Sequence, residues 1–363
     1  MTLPLLTRHA DTLRYDRQHG VVLALDRRIY PHETAFVTCS DAETVARAIE
    51  TAVVQGDRSL AYMAGYGLAL AARAWKGRPS DAQRAAIIQA GELLRRTHTS
   101  AGLQLIVEQG LARADTAILA GGDGEEVLVD LVEAAIRRVD KVAERCGRNA
   151  AGLLDGDDRV LTHGFAGAAL NWMLYVAYVE QGKRLQLYPT ETRPSLQGAQ
   201  LTAHQAIEIG VPVTLLADTT PGLCFAREML SVYITGAERI ALDGSVANTV
   251  GTYQYAVLAR HHGVPFYALG DDGPDPATPA GAGIPIAERD PSEVLQFAGV
   301  RTAPEGAGVY NPALDVTPPD LVSAIATSRG IYRPERIADY LGDGEAPGEV
   351  IPLTADEGRR TND

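Results

Sequence analysis

After Gly147 the chain changes rhythm, and that change restricts its fold more than any other feature. Apolar runs of five or six residues alternate there with stretches of helical spacing. Candidate strands fall at 159–162, 185–188, 213–217, 239–242 and 266–269, with helical patterns between them at about 166–180, 197–209, 223–232 and 252–262. Parallel neighbours need a crossover, and a helix supplies it, so this alternation specifies a parallel sheet covered on both faces. Ligands of such sheets bind outside the carboxyl ends of the strands, which puts the residues just after each strand under scrutiny. Before Gly147 the reading is two short strands, one at 21–26, followed by helices. Asp41 is placed to cap a helix that carries Val45, Ala48 and Ile49 on one face. The expected fold class is α/β: a small, mostly helical N-terminal domain with short strands over 1–146, then a Rossmann-like parallel-sheet C-terminal domain with the active-site cleft over 147–342. Residues 343–363, polar and charged, are expected to form a flexible tail.

Charge and cysteine usage narrow the function. A formal net charge of -13 argues against a nucleic-acid surface, which needs a basic face. It leaves room for a small anion, because one arginine in a cleft can outweigh the global field locally. No apolar run reaches the roughly 20 residues of a membrane span. The three cysteines, Cys39, Cys146 and Cys224, form no CxxC pair, and the eight histidines are scattered apart from His261-His262. No metal or cofactor is expected, the start of the chain shows no secretory pattern, and the expected compartment is the cytoplasm.

Three junctions carry chemistry. Strand 159–162 runs into His163-Gly164-Phe165-Ala166-Gly167, where glycines and a helix start favour an anion, although a plain tight turn explains the same residues. After the next strand comes ETRPSLQG, in which Glu191 and Arg193 are spaced to clamp hydroxyls or an anion, or to form a surface ion pair, and Gln197 opens a helix. The third is GAERIALDGSVANTVGTY. Glu238 and Asp243 are acids in an apolar neighbourhood, where partial burial would raise a carboxyl pKa toward general acid–base work, although a structural carboxylate paired with the adjacent Arg239 explains the same residues, and 248–251 reads as the opening of a helix with exposed N–H donors.

Taken together, these segments resemble the methylthioribose-1-phosphate isomerase family, which shares its fold with regulatory subunits of a eukaryotic translation initiation factor and with ribose-1,5-bisphosphate isomerase. The resemblance runs from about Leu25 to Gly330 and rests on LDRRIYPHET, ETRPSLQGAQLTA, GAERIALDGSVANTVGTYQYAVLARHHGVPFYAL and VYNPALDVTPPDLVSAIATSRG, in family order. It implies an aldose–ketose isomerisation with a cysteine and an aspartate as acid–base pair and basic groups on the phosphate. It also implies a two-fold homodimer. At the cysteine position this chain has Gly164, preceded by His163; at the aspartate position it has Glu238; where a lysine follows Asn248 it has Thr249. The family's early arginine aligns with Gln55, beside Gly56, and a second with His98. The resemblance therefore makes Glu238 and His163 the expected catalytic residues. Gln55, Gly56, His98, Gly164, Glu191, Arg193, Gln197, Asp243, Asn248 and Thr249 are the expected substrate contacts.

The resulting expectation is an enzyme acting on a pentose phosphate or nucleoside-derived sugar by isomerisation or a related proton transfer, with an altered substrate or reaction. A non-catalytic ligand-sensing or assembly protein of the same fold is the alternative. A dinucleotide-dependent oxidoreductase is disfavoured, because Gly164-Phe165-Ala166-Gly167 is too short for the GxGxxG fingerprint.

Overall fold

The computed structural model describes residues 2–342; the expected flexible tail lies outside the described residues. The chain divides into two compact units, Arg8–Asp140 and a second that begins at Lys141 and takes in the chain start up to Thr7.

The first unit opens with an antiparallel meander, β1 (Leu13–Asp16), β2 (Val21–Leu25) and β3 (Phe36–Cys39). That is one strand more than the sequence reading gave. Helices follow at Ala42–Glu50, Asp57–Ala74, Ser80–Thr97 and Ala101–Leu119, and the helix Gly124–Ala151 contributes its first half. Asp41 caps the first of these: its carboxylate accepts the Thr44 N–H at 2.7 Å while Thr44 Oγ1 accepts the Asp41 N–H, a reciprocal capping box. Helix Asp57–Ala74 is buried on nearly every side from Leu60 to Leu70, so it is the axis of this unit's core.

The second unit is built on β4 (Arg159–Thr162), β5 (Gln186–Pro189), β6 (Val232–Gly236), β7 (Arg239–Ile240), β8 (Val246–Thr249), β9 (Phe266–Leu269), the small hairpin β10 (Gln296–Phe297) and β11 (Val300–Arg301), and β12 (Leu314–Thr317), β13 (Ala324–Thr327) and β14 (Gly330–Tyr332). The main sheet has the order β14-β13-β9-β6-β4-β5, parallel throughout except for β14. Its strands are covered on both faces. Val160, Leu187, Val232 and Ile234 belong to one apolar cluster, and Leu161, Tyr188, Tyr233 and Phe266 to another. The chain goes from β4 to β5 on one side and returns to β6 on the other. The crevice outside β4 and β6 is therefore the topological switch point, where doubly wound sheets bind their ligands.

Three expectations are corrected. The central strand is Val232–Gly236, inside and just beyond what the sequence reads as a helix over 223–232; the helix itself stops at Ala226. All five residues of β6 are buried, so no alternation marks it as a strand. The segment 239–242 yields only β7, which joins a separate antiparallel sheet of order β12-β8-β7. The segment 213–217 makes isolated parallel bridges from Val213 to Leu187 and from Leu216 to Thr190 instead of a full edge strand. Pro212, which has no N–H, precedes it.

Candidate active site at the strand ends

The turn after β4 is bonded on every side. His163 is buried, with 2% of its surface exposed, and both ring nitrogens are engaged. Nε2 lies 2.9 Å from the Val250 carbonyl, which can only accept, so Nε2 carries the proton and Nδ1 accepts from Thr190 Oγ1 at 2.6 Å. Burial pushes the imidazole pKa down, which agrees with this neutral ring. The His163 carbonyl accepts from Thr235 Oγ1 at 2.6 Å, and the Gly164 carbonyl accepts from Thr202 Oγ1 at 2.8 Å. The Gly164 N–H, expected to face a ligand, instead donates to Thr192 Oγ1 at 3.0 Å. Gly164 has φ +72°, and a Cβ there would meet Thr249 Oγ1 at 3.0 Å. The two positions are thus neighbours.

The loop after β5 is held by a residue that the sequence reading missed. Asp218 accepts the N–H groups of Thr192 and Arg193 at 2.8 and 2.7 Å, one on each oxygen. Thr192 and Leu196 sit at φ +64° and +55°, a region that costs non-glycine residues energy and that is over-represented at functional loops. Arg193 does not pair with Glu191. Its guanidinium reaches the Glu293 carbonyl at 3.4 Å and lies over the Phe297 ring at 5.2 Å. Gln197 is exposed, and Gly198 behind it lets the next helix touch this loop, since a Cβ there would fall 1.9 Å from the Thr190 carbonyl oxygen.

The third region differs most from expectation. Asn248 belongs to β8, not to a helix, and its Nδ2 donates to Thr235 Oγ1 at 3.3 Å and Thr252 Oγ1 at 3.1 Å. The helix Thr252–His261 starts later, and two of the N–H groups at its start are already taken. Asp315, opposite Asn248 in the β12–β8 ladder, accepts the Gly251 N–H at 2.6 Å and the Tyr253 N–H at 3.1 Å. Burial pushes the Asp315 pKa up to about 6, against the lowering effect of those two bonds. Asp243 is also occupied, accepting from the Ser245 and Gly281 N–H groups at 2.9 and 3.1 Å. Glu238 stands at the carboxyl end of β6 and is exposed, a correction to the partial burial expected of it; Ile234 and Ile240, which made its neighbourhood look apolar, turn into the sheets instead. The side chains of Glu238 and Glu191 make no hydrogen bond or ion pair among the described residues.

Gln55, Gly56 and His98 lie in the N-terminal unit and are exposed there. Their two turns meet: Asp57 accepts from Ser100 Oγ and from the Gly102 N–H, while the Ser100 N–H donates to His98 Nδ1 at 3.0 Å. No helix among the described residues is long and apolar enough to cross a membrane.

Residues 53–334 match the model of a family described as the initiation factor 2 subunit family. A methylthioribose-1-phosphate isomerase of Desulforudis audaxviator is 39% identical over 336 residues, which cover 90% of this chain and 96% of that protein. Among solved structures, 5-methylthioribose 1-phosphate isomerase from Pyrococcus horikoshii aligns with a TM-score of 0.81 at 31% identity, covering 91% of this chain and 94% of its own. Translation initiation factor eIF-2B, subunit delta, from A. fulgidus aligns with a TM-score of 0.80 at 29% identity, covering 90% and 96%.

Proposed function

Since the chain belongs to the initiation factor 2 subunit family, within it among the methylthioribose-1-phosphate isomerases, we propose that it converts a phosphorylated aldose into the corresponding ketose phosphate. Methylthioribose 1-phosphate is the first substrate to test. In this reaction the sugar ring opens, hydrogen moves between adjacent carbons, and a carbonyl replaces the hydroxyl on the carbon that lost it.

The observation that carries this reading is the set of carboxylates at the switch point. Asp218 and Asp315 are committed to backbone N–H groups, whereas Glu238 and Glu191 hold no such bond among the described residues. Glu238 is the base of this reading, and Glu191 orients sugar hydroxyls. His163, with both nitrogens engaged, is a positioning residue that fixes the Gly164 turn against Thr190 and Val250. Asn248 and Thr249 line the same crevice, where Thr249 borders the space that a side chain at 164 would enter. The proton carrier thus differs from a thiol, and the substrate differs in what it offers to Gly164 and Thr249. The protein works as a two-fold dimer in the cytoplasm, where its three buried free cysteines stay reduced.

Incubation of the purified chain with methylthioribose 1-phosphate and a panel of aldose 1-phosphates, followed by 31P NMR, should reveal a ketose phosphate from at least one of them. No ketose from any member would refute the reading.

A further inference from the structure

The turn that joins β8 to helix Thr252–His261 borders the crevice, and it is tied down at each residue. The Val250 N–H donates to the Ala313 carbonyl at 3.2 Å, and the Thr249 carbonyl accepts from Thr252 Oγ1 at 2.8 Å. Gly251 sits at φ +108°, where a Cβ would meet His163 Nε2 at 3.0 Å. The Gly251 and Tyr253 N–H groups then close on one side chain, Asp315, through separate oxygens at 2.6 and 3.1 Å.

This turn holds the crevice in shape. Its Val250 carbonyl accepts from His163 Nε2 at 2.9 Å, and Thr249 faces Gly164. On β8, Asn248 stands opposite Asp315, and the next carbonyl, that of Ala247, accepts the Glu238 N–H at 2.9 Å. Asp315 is therefore within one or two bonded steps of His163, Glu238, Asn248 and Thr249, although its own carboxylate is spent on the backbone.

The clamp needs an ionised acid. A carboxylate offers an acceptor on each oxygen, whereas the protonated acid turns one oxygen into an O–H donor and holds one N–H poorly. No cation pairs with Asp315 among the described residues, and burial raises its pKa to about 6. The titratable groups facing it are the phenols of Tyr233 on β6 and Tyr255 on the helix, both kept protonated by burial. β8 and the short turn Gly281–Gly283, which also pack on β12, present none.

We infer that Asp315 is a positioning residue for turnover, acting on the reacting groups through the 249–251 turn and His163. This rests on the isomerase reading and deepens it. Activity then requires the ionised form, while the fold is stabilised by the protonated one. Between pH 8 and pH 5 the protein should gain stability and lose activity together, which a merely structural acid would not produce.

The test is the pH profile of ketose formation by wild type, Asp315→Asn and Asp315→Glu, with methylthioribose 1-phosphate or whichever aldose 1-phosphate of the panel wild type converts. Wild-type kcat should fall about tenfold toward pH 5, with a midpoint of about 6. Asp315→Asn should keep the wild-type Tm at pH 8, lose kcat about 10- to 100-fold there with a smaller change in KM, and lack the limb near pH 6. Asp315→Glu, which keeps the charge, should lose less and retain a limb. Wild-type kcat in Asp315→Asn at pH 8 overturns the proposal, as does a limb near pH 6 that persists in that variant. If Asp315→Asn does not fold, the backbone amide signals of Gly251 and Tyr253 in wild type decide: they should titrate with the midpoint of the kcat limb, and signals that stay still through it overturn the role. No ketose from wild type at any pH sinks the isomerase reading and this role with it. Ketose from wild type and an unaltered profile in Asp315→Asn sink the role alone.

Discussion

Replacing Asp315 with asparagine separates two opposing effects at one turn. The carboxylate accepts two N–H groups that begin helix Thr252–His261, so Asp315→Asn leaves one of them without an acceptor, at a cost of about 1–3 kcal/mol. Against this, burial has pushed the acid to about 6, and an ordinary aspartate titrates near 3.9, so the ionised form carries a penalty of about 3 kcal/mol. Above pH 7 the two are of one size and the variant should differ little from wild type. The folded state holds the proton more tightly than the unfolded one. The stabilisation this gives is therefore complete below pH 4 and lost as pH rises through about 6. Between pH 8 and pH 5 wild type should gain about 1.4 kcal/mol that asparagine cannot gain. Urea unfolding at both pH values, followed through Trp172 in a Trp75→Phe background, measures that difference. His163 and other titrating groups contribute to both chains and cancel. A wild-type-minus-variant difference that is the same at both pH values, or grows toward pH 8, would refute the reasoning.

Glu238→Gln should lower kcat about 10²- to 10⁴-fold, as expected for loss of a general base, and leave Tm unchanged because the side chain is exposed; full activity removes Glu238 from the chemistry. Gly198→Ala should cost about 3 kcal/mol or more, because the new Cβ would fall 1.9 Å from a backbone oxygen that cannot swing away. A soluble Gly198→Ala chain with the wild-type melting curve would show that the helix and the loop after β5 do not need this approach.

Much of the fold was legible because periodicity and capping agree where burial is one-sided. Asp41 followed by Val45, Ala48 and Ile49 announced a helix, and the capping box with Thr44 is what makes that helix begin there. Legibility failed where burial is two-sided. In β6 each of Val232, Tyr233, Ile234, Thr235 and Gly236 is buried, so the strand has no polar face and its apolar start merged with the helix before it. The motif residues at the strand ends were visible, but their duties were not. Asp218 directly follows the apolar run 213–217 and would have been found by inspecting the residue after each candidate strand. No such rule finds Asp315, whose role exists only because β12 pairs with β8 and puts it opposite Asn248.

Carboxylates at strand ends serve two incompatible purposes, and a sequence writes them with the same letters. Asp218, Asp243 and Asp315 each give both oxygens to backbone N–H groups and so shape the loops. A carboxylate in that position cannot take a proton from a sugar without releasing a loop. Glu238 and Glu191 have no such duty among the described residues. The three aspartates build the loops, whereas the two glutamates are left without such bonds and, on the proposed reading, are available to a sugar. Division of labour between the two residue types therefore predicts that shortening Glu238 to aspartate preserves the charge but withdraws it by one methylene. Turnover in Glu238→Asp should fall by a smaller factor than in Glu238→Gln, with an unchanged Tm. Equal loss in the two variants would mean that reach, not charge alone, sets the rate, and wild-type turnover in both would dissolve the distinction.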